Sequence, residues 1–293
     1  MSAPRSSPVR LATFAALVLG LGACTESASI SFDFTSQAKP TVNLSVDNIS
    51  GSVRLTKGAA GSAVTGRVHV TASGFDTKGQ AKDAALDVRI REEGTAQDLA
   101  LVVDAPRVGS SKIFDVDLDL AVPDGVAVNV RSDNGSIRVE GLPVIKLDTT
   151  SGEIEMRFTS GPAAAVTNDF PIVIESHQGD LDVRTSNAPM DLISIAGNVN
   201  ARTTNGAIEA RITPPADGEV FLATTNAPVQ LTLPTTYGAR LLAVTSGAGS
   251  VFVRGLPFTP SGSFPGQAEG IIGNGAGIVD VRTNDADIEI NGR

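Results

Sequence analysis

Tryptophan is absent from the 293 residues, tyrosine occurs once, and aromatic side chains make up only 4%. That poverty removes the stacking platforms on which unpaired bases are held, and it disfavours a deep, aromatic-lined sugar groove. Basic residues number 23 against 32 acidic ones, a formal charge of −9. An acidic surface repels phosphate backbones, so no nucleic-acid partner is expected. Two histidines (His69 and His177) and one cysteine (Cys24) leave no second His or Cys at metal-ligand spacing to either histidine. A single thiol also forbids a disulfide framework within the chain. No Gly-x-Ser-x-Gly elbow accompanies a usable histidine, and the run from Gly273 to Gly277 lacks the Lys-Ser/Thr and the helix of a phosphate loop. No apolar run reaches the roughly 18 residues of a transmembrane helix.

The longest apolar stretch, Leu11 to Leu21, follows Arg5 and Arg10 and has the layout of an export signal. It ends in Leu21-Gly22-Ala23-Cys24, which resembles a bacterial lipobox, where the cysteine sulfur takes a diacylglyceryl group before cleavage. The plainer alternative is a secretory signal with a chance cysteine, but a lone thiol in an exported chain otherwise has little purpose. Residues 1–23 are thus expected to be a lipoprotein signal peptide and Cys24 the lipidated residue. Several acyl chains hold a membrane far more firmly than one myristoyl chain. Thr25 rather than Asp after the cysteine resembles a lipoprotein sorted to the outer membrane. Residues 24–40 read as a lipidated tether with a possible first strand, because Ile30, Phe32 and Phe34 alternate.

From residue 41 to 125 the period-2 pattern persists and predicts an antiparallel β module. Val42 to Leu55 reads as a hairpin through Asn48-Ile49-Ser50-Gly51, and a short helix is expected near Lys78 to Leu86. Beyond Val126 a phrase recurs: a Ser/Thr/Asn corner, often closing on Gly, then an apolar alternation. It appears as Ser132-Asp133-Asn134-Gly135-Ser136-Ile137-Arg138-Val139, as Thr149-Thr150-Ser151-Gly152-Glu153-Ile154-Glu155-Met156, and as Thr203-Thr204-Asn205-Gly206-Ala207-Ile208-Glu209-Ala210. Thr224-Thr225-Asn226-Ala227-Pro228-Val229 and Thr283-Asn284-Asp285-Ala286-Asp287-Ile288 are worn copies. Such self-similarity signals a coil stacked on copies of itself, so residues 126–293 are expected to form a β-solenoid with two short strands per coil. Ile137/Val139, Ile154/Met156, Leu181/Val183, Ile208/Ala210, Val229/Leu231, Val251/Val253 and Ile288/Ile290 would face inward, and Arg138, Glu155, Asp182, Glu209 and Glu289 outward. The Pro/Gly-rich segment 256–275 interrupts the repeat and reads as a long loop folded over one face or end.

These residues resemble a bacterial family of β-strand-repeat "putative adhesin" domains. The resemblance rests on Val46-Asp47-Asn48-Ile49-Ser50-Gly51-Ser52-Val53-Arg54-Leu55, on Leu118-Asp119-Leu120-Ala121-Val122-Pro123-Asp124-Gly125-Val126, and on the corners above. It spans roughly residues 40–290 and implies an all-β, solenoid-like, surface-exposed domain. It supplies no catalytic residues and no cofactor.

Candidate chemistry is sparse. Asp180 and Asp182 share one face of an expected strand, where paired carboxylates could act on a polysaccharide; a charged solvent face explains them more simply. Asp133-Asn134-Gly135 and Asn284-Asp285-Ala286-Asp287 are faint calcium candidates. His177 sits in a corner and reads as a solvated turn residue, and the threonine pairs could offer a polar ladder to a glycan or to ice. The expectation is a non-enzymatic, lipid-anchored envelope protein contacting an envelope protein or glycan, with no catalytic, metal or cofactor site. A β-helix polysaccharide enzyme and an end-to-end self-assembler are the alternatives. A Cys24→Ala protein should accumulate as precursor and take up no labelled fatty acid; continued labelling would refute the anchor.

Overall fold

Alternating apolar and polar residues put every second side chain on one face of a strand, and burial of that face organises the whole chain. A computed structural model describes residues 25–95 and 97–293. It opens with β1 (Glu26–Thr35), β2 (Asn43–Ser50), β3 (Val53–Gly58), β4 (Thr65–Phe75) and α1 (Lys78–Leu86), followed by β5 (Arg89–Gly94), β6 (Asp98–Asp104) and β7 (Ile113–Pro123). The helix stands where the sequence predicts it. Thr77 caps it by accepting the Gln80 amide at 3.2 Å, and Ala81 and Ala85 are its buried contacts.

Paired short strands follow. They are β8 (Ala127–Asn134) with β9 (Ile137–Glu140), β10 (Val144–Ser151) with β11 (Ile154–Arg157), and β12 (Ala163–Val166) with β13 (Ile172–Glu175). Next come β14 (Leu181–Arg184) with β15 (Met190–Ile195), β16 (Val199–Arg202) with β17 (Ile208–Ile212), and β18 (Glu219–Ala223) with β19 (Val229–Leu233). The chain ends through β20 (Ala239–Thr245), β21 (Val251–Arg254), β22 (Phe258–Phe264), β23 (Gln267–Ile272), β24 (Gly277–Thr283) and β25 (Ile288–Gly292).

Each pair sends one strand to each of two facing sheets. The first sheet has the order β1-β4-β7-β3-β9-β11-β13-β15-β17-β19-β25-β21. The second has the order β22-β23-β20-β24-β18-β16-β14-β12-β10-β8-β2-β6-β5. This is the expected all-β solenoid of open, mainly parallel sheets. In-register pairing stacks Val53, Ile137, Ile154, Ile172, Met190, Ile208, Val229 and Ile288 into one buried column of the first sheet. Val130, Leu147, Ala165, Val183, Ala201, Leu222 and Val281 form the facing column. Val251 and Val253 complete the first sheet only half-buried, because β21 is its edge strand.

Several expectations change. Antiparallel pairing does join β1, β4 and β7, and β5 with β6. The hairpin expected over Val42 to Leu55 is absent: β2 and β3 lie in different sheets and pair in parallel with β8 and β9. Strands adjacent in sequence face each other across the core here, so the Asn48–Gly51 corner spans the sandwich. Segment 256–275 is not a loop but an antiparallel hairpin, β22–β23, added to β20 at the end of the second sheet. The repeat has the loose period that the corners suggest: Leu147 pairs with Ala165, Val183 and Ala201 in coils of 18 residues, while the step from Val130 to Leu147 takes 17 and that from Ala201 to Leu222 takes 21. Gly179 belongs to the opposite corner from Gly152, stacked between Gly161 and Gly197, so the 27-residue interval is one and a half coils.

Both ends of the ladder are interleaved. β2 and β3 precede β6 and β7 in the chain, yet sit between that pair and β8–β9. Likewise β24 and β25, the last strands, slot between β18–β19 and β20–β21. Deleting residues 277–293 should open a one-strand gap through both sheets and abolish a cooperative melt. A synthetic peptide of that sequence, added in trans, should partly restore it. A truncated protein that melts like the full chain would contradict the interleaved order.

Candidate functional site on the outer face of the second sheet

Outward positions are free of the stacking constraint, so chemistry can vary there. On the first sheet a ladder of ion pairs runs among them, beside Val173, Ile193 and Gln230. Arg138 meets Glu155 at 3.0 Å, Arg157 reaches both Glu155 and Glu175, and Arg211 meets Glu209 at 3.1 Å. Burial and the charge of Glu209 raise the pKa of Asp191 above the usual carboxylate value. Such exposed pairs add little stability and leave a filled, level surface.

The second sheet carries ion pairs too, Arg184 with Asp182 at 2.8 Å and Arg282 with Asp280 at 2.7 Å, and differs in the hollows between them. Ala164, Asp182, Asn200 and Phe221 form one in-register outward row across β12, β14, β16 and β18. Beside it runs a row of Asp180, Asn198 and Glu219, tied together by the Asn198 amide donating to Asp180 Oδ1 at 3.1 Å and the Glu219 amide donating to Asn198 Oδ1 at 2.7 Å. The short Ala164 leaves a depression of about 580 Å³, bounded by Ile145 and Pro162 at one end and by Phe221 and Glu219 at the other. Further hollows continue along the same face. One of about 360 Å³ lies beside Asn43, Asp98 and Asn129 and shares Ile145. One of about 630 Å³ lies beside Ile278, Asp280 and Leu242, on the neighbouring strands to Phe221. Together they make a shallow trough along the stacking axis.

Most polar groups in the central hollow are oriented. Arg184 donates to both oxygens of Asp182, at 3.1 and 2.8 Å, and the pair raises the arginine pKa further. Arg202 donates from Nε to Asn200 Oδ1 at 3.1 Å and lies over the Phe221 ring at 4.7 Å. The Glu219 carboxylate has no hydrogen-bond or ion-pair partner among the described residues and projects into the trough.

Asp180 and Asp182 are therefore brought together on one face, as expected, but each already accepts a hydrogen bond. His69 faces outward on β4, with Ser31 Oγ 2.8 Å from Nδ1. His177 overturns the solvated reading. It is fully buried in the second corner, with Thr159 Oγ1 2.9 Å from Nδ1 and with Nε2 unpartnered. The turn aims this position at the core, in line with Ile195 of the next coil. The first threonine of each corner is likewise internal. Thr149, Thr167, Thr203, Thr224 and Thr283 are buried, each donating from Oγ1 to a carbonyl of the neighbouring corner, as Thr167 does to Gly152 O at 2.9 Å. Of the pairs, only the second members, exposed Thr150 and Thr204 and half-buried Thr225, reach the surface. An exposed ladder stands two residues on from the buried threonines, where Asn226 donates to Asn205 (2.6 Å), Asn205 to Asn187 (2.6 Å) and Asn187 to Asp169 (2.5 Å).

Of the faint calcium candidates, Asp133 pairs with Arg131 at 3.7 Å and Asp287 Oδ1 accepts the Ser250 amide at 2.8 Å. Among the described residues no three His, Cys, Asp or Glu side chains converge. Cys24 lies outside the described residues. The trough residues Asn198, Asn200, Arg202, Glu219 and Phe221 escape sequence reading because no short motif holds them. Aligning outward positions on the 18-residue coil would have found the Ala164–Asp182–Asn200 row.

The family model described as Toastrack DUF4097 matches residues 24–291. No curated protein matches the chain. Among solved structures, it is similar to a "putative cell adhesion protein" from Clostridium sporogenes ATCC 15579, at 10% identity over 92% of this chain and 100% of that one, with a TM-score of 0.25. It is also similar to a "putative adhesin" from Bacteroides fragilis NCTC 9343, at 10% identity over 90% and 97%, with a TM-score of 0.34. A "putative adhesin" from Parabacteroides merdae ATCC 43184 matches at 11% identity over 89% and 95%, with a TM-score of 0.30.

His177 yields a pH test. Burial lowers its pKa below the ordinary 6.5, opposed by the backbone of Gly161 and Asp180. The unfolded chain therefore binds a proton that the folded chain resists. Stability from this site is complete above about pH 6.5 and declines below it, at no more than ~1.4 kcal/mol per pH unit for one proton. Thermal melts between pH 7.5 and 5.5 should show the wild-type midpoint falling relative to that of His177→Gln; parallel curves would contradict the buried neutral ring.

Proposed function

The chain belongs to the Toastrack DUF4097 family, and from that premise we propose that it is a non-enzymatic, lipid-anchored envelope protein whose second-sheet trough is its contact surface. The observation that carries this reading is the contrast between the two outer faces. Ion pairs level the first, whereas hollows run along the second with oriented carboxylates, amides and a guanidinium in them. A rigid face with fixed polar groups loses little entropy on binding, which favours recognition. The anchor at Cys24 is inferred from the leader, and outer-membrane residence from Thr25.

Two observations weigh against the rival readings. A polysaccharide enzyme built on this pair would need both Asp180 and Asp182 free to exchange protons with substrate, but both oxygens of Asp182 are held by Arg184, and Asp180 Oδ1 accepts a backbone amide, which leaves only its second oxygen. End-to-end assembly would need open edges. The second sheet ends in β5, with Arg89, Arg91, Glu92 and Glu93, and in β22, where Pro260 lacks a donor and the register shifts, so only β1 and β21 of the first sheet offer such an edge.

A photo-crosslinking residue placed at Ala164, on the trough floor, should capture envelope material in intact cells. The same residue at Val173, outward on the first sheet, should capture far less. Equal capture from both faces, or none from the trough, would remove the assignment of the contact surface.

A further inference from the structure

We propose that the central hollow holds a linear, hydroxyl-rich glycan without carboxylates, lying along the stacking axis. This rests on the trough being the contact surface and names what it contacts.

Repeat distance gives the first argument. Neighbouring strands lie about 4.8 Å apart, and a 1,4-linked pyranose advances its chain by about one such step. A glycan laid along the axis therefore meets an equivalent outward residue at each sugar: Ala164, then Asp182, Asn200 and Phe221. The parallel row of Asp180, Asn198 and Glu219 repeats at the same interval.

Chemistry gives the second. The Glu219 carboxylate and the second oxygen of Asp180 are acceptors for sugar hydroxyls, the amides of Asn198 and Asn200 both donate and accept, and Arg202 donates. Phe221 and Ile145 supply apolar ledges for the C–H faces of the rings, in a hollow shallow enough to need few aromatics. Other ligands fit less well. The backbone groups of β12, β14, β16 and β18 are engaged in the parallel ladder, so an extended peptide cannot add to this face as a strand. Asp180, Asp182 and Glu219 line the hollow with Arg202, and Arg184 neutralises Asp182 beside them; the remaining balance is acidic at Asp180 and Glu219, which disfavours phosphates and uronates.

Calorimetric titration of the full chain in detergent would use β-1,4-linked glucose and N-acetylglucosamine oligomers, from disaccharide to hexasaccharide, with oligogalacturonate for comparison. One neutral series should bind more tightly with length until the hollow is filled, and the uronate should not bind. Ala164→Trp, which fills the floor from an outward position, should weaken binding at least tenfold, and Phe221→Ala should weaken it severalfold, both with unchanged melting. Absence of binding by either neutral series, tighter binding of the uronate, or undiminished binding by both variants would overturn the proposal. If the oligomers fail while a crosslinker at Ala164 captures an envelope protein, the ligand class is wrong and the contact surface stands. If neither binds, both fall.

Discussion

In-register parallel pairing between successive coils is the constraint on which everything else depends. It sets each residue directly over its counterpart at one strand spacing, so whatever suits one coil must suit its neighbours. Aliphatic columns follow, because a polar intruder would break contact above and below at once. Corners follow too. Gly152 lies so close over Gly135 that a Cβ would overlap the Gly135 carbonyl, which is why the corner residue must be small. The inner threonines close the same corners by donating to carbonyls that the turn leaves without a ladder partner.

A stack of this kind is weakest at its ends, where a coil has a neighbour on one side only. Interleaving answers that weakness. The first complete coil, β2–β3, and the last, β24–β25, each have a coil on both sides, so both are inserted rather than peripheral. Loss of either would separate strands that are remote in sequence, which couples the ends to the middle. The outermost strands are then β1 and β21 in the first sheet and, in the second, charged β5 and the proline-bearing β22, the last two poor templates for further pairing.

Local pattern made the core legible. The pairs Ile137/Val139 to Ile288/Ile290 face inward as period-2 alternation requires, and the Gly-bearing corners lie where the phrase repeats. What local pattern cannot report is which strand lies beside which. Val42 to Leu55 has all the marks of a hairpin, yet the partner of each half lies some 80 residues on. His177 was misplaced for a related reason: polar corner composition suggests exposure, while the second corner turns that one position into the core. The trough is the extreme case. Its floor takes one residue from each coil, 18 to 21 positions apart, so no short window of sequence contains it.

The same constraint explains why function would reside where it does. Inward positions and corners are bound by their neighbours above and below, and a change there propagates through the stack. Outward positions are bound only by solubility and by their lateral contacts. On the first sheet those contacts are mutual, since Arg138, Glu155, Arg157 and Glu175 satisfy one another. On the second sheet Ala164 breaks the sequence of long side chains, and the carboxylate of Glu219 has no hydrogen-bond or ion-pair partner among the described residues. A hollow in an otherwise level wall costs dispersion contacts that a longer residue would have made. Stacking does not require that hollow, and its periodic wall is what suits it to the periodic ligand proposed above.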